Sequence, residues 1–186
     1  MASAHIRATH GRAIKGYGPP RALSARPGRR SEVAEGIVRY LGALSVLLVG
    51  AVHAQQYYDA YFSVVPTIGT LFLLSFVGSG VVGVVLIAPV RRLGRGIGDL
   101  ILVLAALGAI GIAVGSLASL LVSEYTPLFG FMESGYRLAV VLALVFDGLT
   151  TVLLGTFVLM VASRARRQLA SRDAQARRGG PSRATR

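Results

Sequence analysis

Four long stretches almost empty of charge constrain this chain more than any other feature. Tyr40 to Tyr58, Ala60 to Val90 and Leu100 to Val122 hold no Asp, Glu, Lys or Arg, and Leu138 to Ser163 holds only Asp147. A helix crosses the ~30 Å hydrocarbon core of a bilayer with about 20 residues, so each stretch is long enough to span once. In lipid every backbone polar group must be satisfied internally, which leaves helices or closed barrels. Barrel strands alternate polar and apolar positions over about 10 residues, and the run LILVLAALGAIGIAVG does not alternate. The expected fold is all-α: an integral membrane four-helix bundle with spans at about 38–58, 66–89, 99–122 and 137–162.

Charge assigns the sides. The 186-residue chain is 53% hydrophobic yet carries a net charge of +12. Eight basic residues precede the first span (Arg7 to Arg39), three (Arg91, Arg92, Arg95) lie between the second and third, and eight follow the fourth (Arg164 to Arg186). Only Arg137 lies on the other side, a ratio of 19 to 1. The positive-inside rule then places both termini in the cytoplasm and the chain in the cell membrane. Aromatic residues such as Tyr57, Tyr58, Phe129 and Phe131 gather at the opposite face, where rings favour the headgroup level.

Residues 1–35 and 164–186 read as disordered basic tails that lie against anionic lipid, flanking a transmembrane domain at 36–163. Arg29-Arg30-Ser31 has the look of a twin-arginine signal, but Glu32 and Glu35 stand where that signal is apolar. An Arg-rich, acid-poor transit peptide is the other reading of the N-terminal tail. No nucleic-acid partner is expected, because neither tail interleaves aromatics with its charges. Cysteine is absent, which removes disulfides, thiolate metal sites and thiol redox chemistry.

Helices in lipid approach one another through small residues. Such stripes run through Ser75, Ser79 and Gly83 in the second span, Gly111, Gly115 and Ser119 in the third, and Ala143, Asp147, Thr151 and Gly155 in the fourth. In the first span Gly42, Val46, Gly50 and His53 share a face. The glycines of Gly94-Arg95-Gly96-Ile97-Gly98 follow no strand, so they form a flexible hairpin connection rather than a nucleotide fingerprint, with Asp99 suited to the helix dipole.

Asp147 is the leading functional candidate, an acid near the midplane, where it costs roughly 2.5–3.5 kcal/mol to insert. His53, Gln56 and Tyr57 share a helix face at 3- and 4-residue spacing. With Asp59 and Glu133 on the same side, a His-plus-carboxylate ion site is conceivable, but no pair has a metal-ligand spacing, and no metal or cofactor is expected. Glu133 and Arg137 are spaced to pair. No G-x-S-x-G elbow supports nucleophilic catalysis.

The segments GAVHAQQYYDAYFSVVPTIGTLFLLSF and LFGFMESGYRLAVVLAL, with an acid in the last span, resemble small uncharacterised four-span membrane proteins of high-GC Gram-positive bacteria. The likeness covers about Arg39 to Ser163. Val65, Ala54 and Asp147 depart mildly from it, standing where Ile, Leu and Glu are usual. The resemblance implies the same four-span topology and an outer cap made by His53, Tyr57, Pro66 and Gly69 with Phe129, Gly130, Phe131 and Glu133. It implies no mechanism.

The expected function is that of a non-enzymatic accessory or scaffold component of a membrane assembly. The alternative is a small transporter, proton pathway or lipid- or quinone-binding protein using Asp147 and His53, and a metal enzyme built on His53, Asp59 and Glu133 is a third reading. Four spans are few for a transporter, so that version calls for a homodimer or larger complex.

Overall fold

Pro27 and Pro66 each open a helix, at the position where a missing N–H goes unfelt. A computed structural model describes residues 27–59, 66–126 and 138–178. They form α1 (Pro27–Asp59), α2 (Pro66–Ile87), α3 (Arg95–Tyr125) and α4 (Leu138–Arg178), with a 3-10 turn at Val90–Leu93. All four helices are long and apolar enough to cross a membrane. Each packs on the next in sequence and α4 closes onto α1, while α1 and α3 meet only lightly across the diagonal. Neighbours run antiparallel: Gly50 faces Ser79 while Gly83 faces Leu47, and Gly78 faces Ile112 while Gly108 faces Val82.

The helices outrun the expected spans at the basic end. Residues 27–35 and 164–178, assigned to disordered tails from the sequence, are helical. The reason is local for α4: RARRQLASRDAQARR is almost wholly Arg, Ala, Gln and Leu, good helix formers. A helix nucleated within the span extends through such residues at low cost. The rest of the tails, residues 60–65 and the connection carrying Phe129, Glu133 and Arg137 lie outside the described residues.

Packing follows the predicted stripes in α1 and α2 and departs from them in α3 and α4. Gly42, Val46, Gly50 and His53 are all buried, as are Ser79 and Gly83. A Cβ at Gly42 would collide with Leu154, and one at Gly83 would lie 2.6 Å from a Leu47 methyl. In α3, however, Gly111, Gly115 and Ser119 are exposed, and the buried face is Leu102, Ala105, Ala106, Ala109 and Ala113. In α4 the buried face is Val140, Asp147, Thr150, Leu154, Phe157 and Val161, whereas Ala143, Thr151 and Gly155 are only partly covered. The small residues of α1 explain the shift. They admit large α4 side chains, Leu154 above all, so α4 turns its large residues inward rather than its small ones.

The glycine connection has a defined backbone path. Gly94 adopts φ 116°, a left-handed value open to glycine, and its N–H bonds to the Arg91 carbonyl at 3.2 Å. Gly98 is buried, and a Cβ there would lie 2.6 Å from the Arg91 Cα. That close approach seats the first turn of α3 on the 3-10 turn and brings Arg91 beside Asp99.

Candidate functional site

The two ends of the bundle differ in kind. Toward the start of α1 and the end of the apolar part of α4 the interior is an apolar core containing Ala43, Val46, Leu86, Leu102, Leu154 and Phe157. Beyond it four charged residues from three helices and the 3-10 turn close a ring. Arg164 donates to Glu35 at 2.8 Å and to Asp99 at 2.5 Å; Arg91 donates to Asp99 at 2.8 Å and also to Glu35. The Glu35 side chain is only 5% exposed. Burial acts to lower the Arg91 pKa, but hydrogen bonds and charge from Glu35, then Asp99, outweigh it and raise it. Charge-assisted pairs of this kind are the stronger hydrogen bonds, and here they tie α1, α3 and α4 to the 3-10 turn that follows α2.

At the opposite end the helices enclose a half-open cavity of about 340 Å³. Apolar side chains dominate its wall, and six polar ones interrupt it: His53, Gln56, Ser75, Ser116, Ser119 and Ser123. His53 is the best-held of these. Its Nδ1 donates to the Val49 carbonyl at 2.8 Å, its ring lies 5.5 Å from that of Phe72, and Ser116 Oγ stands 3.4 Å from Nε2. A carbonyl can only accept, so Nδ1 carries the proton. In the neutral ring Nε2 is therefore an acceptor, and the Ser116 hydroxyl donates to it.

Below the cavity, one turn past Ala143, Asp147 is completely buried. Neither of its oxygens has a hydrogen-bond partner, although Ser116 lies close enough to act on the carboxyl. Ser116 thus stands between His53 and Asp147. Ser79, one turn below Ser75, is also fully buried and without a partner. The polar column then ends. Thr150 donates to Ser45 at 3.0 Å and Ser45 to the Phe146 carbonyl at 3.0 Å, which satisfies both hydroxyls. From there to the charged ring the interior is apolar except for Arg39, buried one turn inside Glu35.

The sequence candidates separate accordingly. His53 and Gln56 reach the cavity and Asp147 lies beneath it. Tyr57 instead packs edge-on against Tyr58 at 4.9 Å, and Asp59 is exposed at the end of α1. Ser75, Ala143 and the α3 stripe Gly111, Gly115 and Ser119 line the cavity rather than a helix contact. Glu133 is outside the described residues, and among those described no three His, Asp or Glu side chains come together as a metal-ligand set. Sequence reasoning missed Ser116, Ser123 and the charged ring. One signal for the ring was present: of eight acidic residues in the chain, Glu32, Glu35 and Asp99 lie among the many arginines. No known protein family, curated protein or solved structure matches the chain.

Proposed function

We propose that this chain is a multi-pass protein of the cell membrane, with both termini in the cytoplasm, and a non-enzymatic component that binds a membrane-resident ligand, a lipid or quinone, in its cavity. The likeness to small four-span proteins of high-GC Gram-positive bacteria belongs to the same proposal. Exposed side chains such as Leu74, Val84, Leu104, Val152 and Leu159 cover the outside of the bundle. A continuous apolar exterior of this kind suits lipid. The charged ring then falls on the cytoplasmic side and the cavity on the outer side.

One observation carries the binding reading. The 340 Å³ cavity is mainly apolar and has a few fixed polar groups, His53 and Ser116 foremost. Small-molecule sites have this composition, and about 300–1,000 Å³ is their usual size. A pure scaffold has no need of such a void, since unfilled space costs packing energy. Native mass spectrometry of the full chain, purified in mild detergent, tests the reading. A bound small molecule should be retained by the wild type and lost in Ser116→Leu, which fills the cavity. A wild type without any adduct returns the protein to the scaffold role.

Asp147 favours a second reading, a proton pathway. A buried carboxyl without a partner is a functional candidate within a membrane, and Ser116 connects it toward His53. The apolar core beneath makes this at most a half-path from the cavity side. Asp147→Asn would abolish proton uptake in liposomes under this reading and leave ligand retention intact under the first.

A further inference from the structure

Resting on the binding reading above, we infer that the ligand is an uncharged amphipathic lipid, with a hydroxyl or carbonyl headgroup, that enters sideways from the hydrocarbon between α2 and α3. Charge, hydrogen-bonding character and the position of the opening each contribute to this assignment.

Among the described residues, the wall of the cavity contains no Asp, Glu, Lys or Arg. Phosphate headgroups are held by Arg or Lys, and ammonium groups by carboxylates or aromatic faces. Placing either ion against serines, a neutral imidazole, aliphatic side chains and the single ring of Phe72, which already packs on His53, would strand a charge in a low-dielectric site, at large cost. The polar groups present suit a neutral headgroup. Gln56 and the serines both donate and accept, and His53 Nε2 accepts. A hydroxyl that donates to Nε2 would replace the long 3.4 Å contact from Ser116, freeing that hydroxyl to turn toward the unpartnered Asp147.

Access follows from where the wall is open. Gly111, Gly115 and Ser119 line the cavity and are nonetheless exposed, and a Cβ on either glycine would meet nothing within 4 Å. Leu71 on α2 is likewise both lining and exposed. Gly111 stands about halfway along α3 (Arg95–Tyr125), so an opening there faces the middle of the hydrocarbon layer and not the water at its edge. Ile112, against Gly78, lines the cavity at this level, and one turn deeper Gly108 against Val82 brings α2 and α3 together beneath it. A tail can lie in the seam while its headgroup reaches His53.

Three ligands with one tail test the assignment: farnesol, farnesyl phosphate and farnesylamine, titrated against the full chain in lipid nanodiscs by calorimetry. Farnesol should bind at least about tenfold more tightly than either charged analogue. Ser116→Leu should abolish its binding, while Ala118→Leu on the outer face of α3 keeps it. Gly115→Leu, which narrows the seam, should slow farnesol association at least about tenfold in stopped-flow measurements, leaving the unfolding midpoint near that of the wild type. Equal or tighter binding of farnesyl phosphate or farnesylamine would overturn the uncharged class while leaving a binding cavity in place. Unchanged association in Gly115→Leu would overturn the lateral route. If none of the three binds, the binding reading falls and this inference falls with it.

Discussion

Removing one arginine from the charged ring should cost far more than removing an exposed one, and the ring should respond as a unit. Glu35, Arg91, Asp99 and Arg164 form a neutral set of two cations and two anions. Arg164→Gln leaves two carboxylates facing one guanidinium, with the Glu35 side chain only 5% exposed and poorly screened. Breaking a fully buried pair costs about 3–5 kcal/mol. Arg164 and Asp99 keep 22% and 18% of their side-chain surface, so about 2–4 kcal/mol is expected here. Glu35→Gln should cost a similar amount, because it leaves two arginines against one carboxylate. The double variant restores neutrality as an Arg91–Asp99 pair, and its loss should fall short of the sum by about 1–3 kcal/mol. Arg95→Gln is the control. Its bond to Glu32 is 2.6 Å long, but the two side chains are 60% and 56% exposed, and such pairs contribute under about 1 kcal/mol. Reversible unfolding in mixed micelles, followed by circular dichroism, gives all four values. Additivity within about 0.5 kcal/mol would refute the claim that the ring acts as one network.

Asp147→Leu removes a buried carboxyl that has no partner, so stability should hold or rise by about 1–3 kcal/mol in the same assay. A loss above about 1 kcal/mol would mean that the carboxyl is bonded in the folded protein. Gly42→Ala drives a methyl into fully buried Leu154 and should cost about 1–3 kcal/mol. Gly36→Ala on the same helix meets nothing within 4 Å and should gain roughly 0.5–1 kcal/mol, so equal effects at the two sites would contradict the α1–α4 packing. Gly98→Ala sets a methyl 2.6 Å from the Arg91 Cα, a backbone atom with little room to yield. It should destabilise by about 1–3 kcal/mol. Combined with Arg91→Gln it should cost less than the sum, because both changes break the same ring.

Four runs with at most one charge each, separated by charged or polar segments, were sufficient to read the helical class and the number of helices. Chain-local physics decides both, since a run of about 20 apolar residues specifies a helix long enough to span, whatever its neighbours. The Pro66 start of α2 and the buried face of α1 were legible for the same reason, the first from the fixed φ of proline and the second from small residues at helical spacing. Of the candidate site, His53 and Asp147 stood out as polar residues inside apolar runs. What the sequence could not convey was which residues meet. The rotation of α4 depends on how Leu154 fits against Gly42 of α1, so Asp147 and Thr150 turn inward while Thr151 and Gly155 do not. The stripe on α3 looked like a packing seam and instead lines a void, because alanines on another face and nearer the start of that helix are the buried ones. Ser116 joins His53 to the neighbourhood of Asp147 across three helices, and Glu35 meets Arg164 across 129 positions of sequence. Such pairings carry no local signal: the energy that selects them, buried charge compensation and side-chain fit, exists only once the helices are side by side.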